Sequence, residues 1–239
     1  MSNEVRVAPI ESVDDFAQAY HCVSEAFGRQ TSDGVWLPLN PNWDTPAGQA
    51  EGAGKLAQRW RSVSMNKSGS PNTIFLKASL QDAQNSNKET IVGLAIWQQL
   101  SMVSGWGDAP TSDLGSHLGI DAVDERFARQ MFASLWKRRI DYAKEKASQH
   151  PPAIFVLDMA AVHPNFQRRG IAGKLVLWGL EEAKRRGHLE CTTEASVMGR
   201  SVYARLGFRP EGEVEFVVDE EFRDRPKPPN VFMRTGREH

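Results

Sequence analysis

The stretch from residue 153 to residue 186 constrains this chain more than any other. An apolar run, Ala153 to Val162, ends at His163-Pro164, and a helical pattern begins near Gly170. Gln167, Arg168, Arg169, Gly170 and Gly173 lie between or just inside them. The spacing predicts a buried strand, a tight turn and a helix N-terminus with basic side chains around it. The first turn of a helix presents unbonded N–H groups and the positive end of the helix dipole, so it attracts anions. Glycine at 170 and 173 removes side chains where a phosphate would approach the backbone. Arg168 and Arg169 add charge suited to phosphate oxygens. The chemistry implied is capture of a diphosphate.

Two common phosphate loops are excluded. A Walker A loop needs a glycine five residues before the Gly-Lys pair and Ser or Thr after it, but Gly173-Lys174 has Arg168 and Leu175 there. A dinucleotide fingerprint needs G-x-G-x-x-G, and Ala172 breaks that pattern. The run Gln167-Arg168-Arg169-Gly170-Ile171-Ala172 instead resembles the coenzyme A signature of the GNAT superfamily of N-acetyltransferases, and Val162-His163-Pro164 resembles its lead-in. Downstream, Glu194 to Phe208 resembles that family's later strand–helix motif, which ends in Tyr-x-x-Leu-Gly-Phe, here Tyr203 to Phe208. Val197 and Ser201 depart from it where the family often has proline. The two matches cover roughly residues 153–217, and the first 150 residues carry no comparable signature.

The resemblance implies an α/β fold of the α+β sandwich type, with a GNAT-like mixed, mostly antiparallel central sheet flanked by helices. It implies acetyl-CoA or coenzyme A as co-substrate, with no metal. The coenzyme's pantetheine arm would pair with the central strand at Ala160, Ala161 and Val162. Its diphosphate would sit on Gln167, Arg168, Arg169, Gly170, Ile171, Ala172 and Gly173, and the later motif adds Ser196, Tyr203 and Arg205. The activity implied is transfer of an acetyl group to a small-molecule or peptide amine by direct attack in a ternary complex. A non-catalytic acyl-CoA-binding sensor or scaffold is the alternative. No Ser-His-Asp or Cys-His arrangement of recognisable spacing argues for a covalent enzyme.

Three residues are the expected catalytic groups. Asp158 is the one charge in the apolar central strand; burial would raise its pKa and suit it to accept a proton. Glu194, on the neighbouring predicted strand, is its competitor, and either could instead satisfy a buried arginine. Tyr203, a phenol protonated at neutral pH, is the expected proton donor to the leaving thiolate. His163 reads as a turn residue.

The chain of 239 residues with net charge −1 is read as a single acyltransferase domain spanning 1–239, with an inserted loop and helix at about 101–150. The near-zero net charge gives no general field toward nucleic acid or membrane. Met1-Ser2-Asn3-Glu4 lacks a signal-peptide layout, no apolar run spans a bilayer, and Cys22 and Cys191 have no metal spacing. A cytoplasmic protein with free thiols is expected, nuclear residence being compatible.

In order, the pattern predicts a strand at 5–8, a helix at 13–27 and a loop at 28–54 carrying Trp36 and Trp43. That loop is either a binding lid or a segment pinned to the core by its tryptophans. A helix at 49–65, strands at 73–80 and 90–100 joined by a hairpin loop, and a helix at 123–148 follow. Arg126, Arg129, Lys137, Arg138 and Arg139 are assigned to the solvated face of that last helix. The rest reads as a strand (153–162), helix (170–186), strand (189–195), short helix (199–206) and a closing antiparallel pair at 212–218 and 231–235. Residues 28–66 and 101–122 are expected to choose the acceptor.

Overall fold

In the computed structural model, residues 4–81, 89–115 and 118–236 are described. The hairpin loop expected at 81–89 falls largely outside them. Seven strands form one sheet: β1 (Val5–Pro9), β2 (Thr73–Gln81), β3 (Glu89–Leu100), β4 (Ile154–Val162), β5 (Glu190–Ala195), β6 (Arg209–Glu213) and β7 (Val231–Arg234). Their order is β1-β2-β3-β4-β5-β7-β6, and only the β4–β5 pair is parallel. Among the described residues five α-helices flank it: α1 (Asp15–Val23), α2 (Pro46–Arg61), α3 (Ala122–Lys146), α4 (Ile171–Arg185) and α5 (Val197–Arg205). The mostly antiparallel sheet with helices on its faces is the architecture expected from the sequence.

The helices start where local chemistry allows. Thr45 accepts the Gly48 amide at 3.0 Å and Pro46 fills the first position of α2, so that helix begins three residues earlier than its apolar periodicity suggests. Asp121 accepts the Val123 amide at 2.8 Å at the start of α3. Beyond α1 the chain widens into a π-helical turn, Ser24–Gln30.

Two apolar layers sandwich the sheet. On one face α4 packs against Leu76, Trp97 and Phe155; on the other α1 and α2 cover Phe75, Leu94 and Ile96. Trp97 is fully buried and stacks on Phe155 with ring centroids 5.1 Å apart. Gly179 lets α4 approach that indole: a Cβ there would lie 2.0 Å from Trp97 Cε2. Of the two loop tryptophans, Trp36 is buried against Tyr20 and Trp43, so the tryptophans pin the 28–54 segment to the core.

The closing strand differs from expectation. β6 spans Arg209–Glu213, and Val214, Phe216 and Val218 leave the sheet to pack with Val35, Phe127, Met131, Leu135 and Phe222 around α3. Their alternation mimics a strand, but the apolar side is taken by a helix.

The two glycines of α4 give a stability test. Gly179→Ala should cost about 1–3 kcal/mol or more by overpacking against Trp97. Gly173→Ala, where an added Cβ meets nothing within 4 Å, should stay within about 1 kcal/mol of wild type or exceed it. Urea denaturation of the two variants, with m-values compared, checks both.

Candidate coenzyme and acceptor site

β4 and β5 are neighbours only at one end. Their ladder covers Ile154, Val156 and the residue between, opposite Glu190 to Thr192. Past it the strands separate. Thr193 Oγ1 still reaches Leu157 O at 3.0 Å. Beyond that a cavity of about 940 Å³ opens between them, lined by Ala160, Ala161 and Val162 on one side and by Ser196 and Tyr203 on the other. The sheet is thus split in its middle, and the far half of β4 has no strand partner on the β5 side.

At the end of β4 the chain makes the turn foreseen from sequence. His163 Nδ1 accepts the Asn165 amide at 3.2 Å, closing one helical turn at Pro164–Phe166 and making His163 a turn residue as expected. Arg168 and Gly170 then adopt φ of +65° and +76°. Gly170 has the left-handed conformation that glycine accommodates without strain, and it leads directly into α4. Lys174 is the first amide of α4 bonded within the chain, to Gly170 O at 3.1 Å. The amides of 168–173 have no acceptor among the described residues. A row of unbonded N–H groups on a helix N-terminus beside a cavity has the geometry that attracts anions.

The candidate residues sort clearly. Ala160, Ala161, Val162, Gln167, Arg168, Gly170, Ile171, Ala172, Gly173, Ser196, Tyr203 and Arg205 all line the cavity. Arg169 does not: its guanidinium lies over the Phe166 ring at 5.3 Å and reaches Asn165 O at 3.4 Å. Gln167 also acts as a brace. Its Nε2 donates to Val162 O at 3.0 Å and it exchanges two hydrogen bonds with Gln30.

The two carboxylates are placed differently from expectation. Asp158 is the extra residue of a β-bulge: Met159 faces Ile96 and Leu157 faces Trp97, leaving it unpaired in the β3–β4 ladder. Its side chain is buried, but Arg139 Nη1 meets Oδ1 at 2.6 Å and Arg59 Nη2 meets Oδ2 at 2.8 Å. Burial alone would push the carboxyl up; the two guanidiniums outweigh it and hold Asp158 far below the usual carboxylate range. The expected rise is therefore overturned. Glu194 takes the other side of Arg139, from Nε at 3.0 and 3.1 Å and also from Nη2. Neither carboxylate lines the cavity. Arg139 is likewise corrected: it is 4% exposed, not part of the solvated face of α3. The other four cations stay at that surface, with side chains 32–78% exposed.

Tyr203 is buried and packs 5.9 Å from Phe208, over Gly199, where a Cβ would come within 2.5 Å of the ring. Burial pushes its phenol up to about 12. It stays protonated through neutral pH and lines the cavity, as a proton donor must.

The rest of the wall is formed by residues 26–34 and 226–230, and Gln30 meets Gln167 of the turn. Residues 28–34 fall within the segment expected to choose the acceptor, whereas 226–230 carry no such expectation. They meet closely enough that a Cβ at Gly34 would lie 2.8 Å from Pro226 O. Cys22 and Cys191 are buried and not joined in a disulfide. Among the described residues no metal-binding cluster occurs, and no helix is long and apolar enough to cross a membrane.

The sheet is split between two parallel strands, with a turn of unbonded amides at the end of one. Residues 129–210 match the GNAT acetyltransferase domain model. The chain's fold is similar to that of arylalkylamine N-acetyltransferase 2 from Aedes aegypti (TM-score 0.57, 19% identity, covering 97% of this chain and 98% of that one). It is also similar to the polyamine N-acetyltransferase of Drosophila melanogaster (0.54, 14%, 97% and 97%). A Corynebacterium glutamicum acetyltransferase described with histone acetyltransferase HPA2 is a third (0.56, 20%, 98% and 97%). No curated protein matches the chain in sequence.

Gly170→Asp tests the anion site. The substitution forces a β-carbon into a left-handed position and puts a carboxylate among the unbonded amides. Acetyl-CoA affinity should fall by about 100-fold or more, equivalent to roughly 3 kcal/mol, with circular dichroism unchanged. Titration calorimetry reads it.

Proposed function

We propose that this protein is an acetyl-CoA-dependent N-acetyltransferase that transfers acetyl directly to a primary amine, without a covalent enzyme intermediate. The observation that carries the reading is the continuity of one cavity. It joins the unbonded amides of the phosphate turn, the unpartnered half of β4 and the buried Tyr203 hydroxyl to a second, separate wall. The residues present fit the coenzyme. The amides of 168–173 suit the diphosphate, with Arg168 and Arg205 adding charge. Ala160, Ala161 and Val162 offer a strand edge to an extended amide-bearing arm, a ligand form of β-augmentation. Acetyl-CoA supplies a thioester-activated acetyl group. Tyr203 holds the proton that a departing thiolate requires.

The opposite wall suggests the acceptor class. Phe27, Pro226, Pro228 and Pro229 supply its apolar surface, and Asp33 is the one carboxylate among the lining residues. Asp33 Oδ1 already accepts the Val35 and Trp36 amides at 2.9 Å, so the group is fixed in place. The lining cation on this side, Lys227, is turned to the carbonyls of Phe222, Arg223 and Arg225. One fixed negative charge and an apolar wall suit an amine with a single positive charge and an apolar body. They suit a polyamine poorly, since its further charges would be desolvated without partners. Of the two amine classes in the names of the similar structures, this favours an arylalkylamine. Protein lysines and N-termini would need a more open wall.

Two measurements check this reading. Tyr203→Phe keeps the packing against Phe208 and removes only the proton; kcat should fall by about 100-fold or more with little change in acetyl-CoA affinity. Because the phenol is pushed up to about 12, the wild-type kcat profile should show no loss from Tyr203 ionisation as pH rises from 7 to 10. Across a panel of amines, kcat/KM for phenylalkylamines should exceed that for spermidine by about tenfold or more, a difference of roughly 1.4 kcal/mol. Equal or reversed preference would overturn the acceptor assignment while leaving the acyltransferase reading intact.

A further inference from the structure

The geometry of α3, β4 and β5 points to Arg139 as a positioning residue that sets the width of the gap between the two strands. The inference rests on the acyltransferase reading above for its kinetic consequence, but not for its structural one. The backbone ladder between β4 and β5 stops after Val156 and Thr192. The next link is a single hydroxyl, Thr193 Oγ1 to Leu157 O. The last is Arg139, which grips Asp158 on β4 with one end of its guanidinium and Glu194 on β5 with the other. Past that point the cavity begins, lined by Ala160 and Ser196. Arg139 therefore stands at the apex of the split, where β4 bulges.

Three features suit it to fix a distance rather than simply to add stability. A planar guanidinium can engage two carboxylates at once in a defined plane, which a lysine ammonium cannot. Its partners are themselves anchored: Arg59 holds the second oxygen of Asp158 at 2.8 Å, and Asn230 Nδ2 holds the backbone carbonyl of Glu194 at 3.0 Å. The cluster contains two cations and two anions and is almost wholly buried around Arg139. Apolar residues of similar size are often as stabilising as a buried ionic cluster of this kind, so its distinctive contribution is geometric. Arg139 comes from α3, which lies between β3 and β4. Trp136, one turn back on that helix, holds the guanidinium against its ring at 5.4 Å.

The consequence separates orientation from affinity. The phosphate turn lies at the far end of β4 from Arg139, so binding of the coenzyme does not need the apex. A reactive group held along Ala160 to Val162 would feel any change in the gap, and an error of about 1 Å costs on the order of 100-fold in rate.

The test uses two variants of the full chain. Arg139→Lys keeps the charge and loses the two-sided grip. The double variant Arg139→Met/Glu194→Gln removes one cation and one anion and leaves the Asp158–Arg59 pair intact, so it contains no newly unpaired buried charge. The expected result, in whichever variants fold, is acetyl-CoA affinity within about threefold of wild type and kcat lowered by about 30-fold or more. Crystal structures with coenzyme A should show a changed Asp158–Glu194 separation with the Ile154–Glu190 ladder intact. Wild-type kcat with chemistry rate-limiting, an unchanged gap, or parallel loss of affinity and kcat would each overturn the inference. If the wild-type protein acetylates no amine, the enzymatic reading fails. The strand separation in the coenzyme A complexes then decides the positioning role by itself.

Discussion

The separation of two neighbouring strands governs this molecule. β4 and β5 are parallel, and they hold together for only three residues before parting. A strand edge left without a partner in the middle of a sheet is normally a liability, because its N–H and C=O groups seek another chain. Here it faces a cavity lined also by residues of α4, α5 and two loop segments. The turn that follows β4 continues the same pattern. Its amides are also unbonded, because Gly170 enters α4 from a left-handed conformation and no side chain caps the helix. The site is built mainly from main-chain groups that the fold leaves unsatisfied, and few side chains need be particular.

Burial acts on the ionisable groups in opposite ways according to their neighbours. Tyr203 is buried without a charged partner, and its proton is held more tightly. Asp158 is equally buried, yet two arginines hold it ionised. Desolvation favours the neutral form of each, but opposite charges within hydrogen-bond distance reverse the outcome. The contrast divides their roles. The tyrosine stays protonated, whereas the aspartate is a fixed charge paired with two arginines. His163 is pushed below the ordinary imidazole range by burial and by His21, with Glu25 opposing.

The wall facing the phosphate turn comes from segments far apart in the chain, and α3 joins them. Val35, just past residues 26–34, and Phe222, just before 226–230, both pack on Phe127, Met131 and Leu135 of α3. Arg225 adds an ion pair to Asp124 at 2.7 Å. The same helix sends Arg139 inward to the apex of the split. α3 thus packs on both segments of that wall and reaches the strand gap through Arg139.

The sequence by itself determined the elements and the phosphate turn. Those features depend on neighbours within a few residues: an apolar run ended by His163-Pro164, glycines at 170 and 173, a helical stripe after them. Tyr203 and the other motif residues that line the cavity, Arg169 excepted, were legible for the same reason, since their motifs are local. Tertiary structure decided the rest. Arg139 looks like any other cation on a helix rich in them, and only the packing of α3 against β4 and β5 buries it. Asp158 was identifiable as a buried charge, but the direction of its shift depends on Arg59 and Arg139, 99 and 19 residues away in sequence. The alternation Val214, Phe216, Val218 has a strand's period, yet a helix covers it. Periodicity records that one side of a segment is apolar; it does not specify which partner, brought there by the rest of the chain, will bury it.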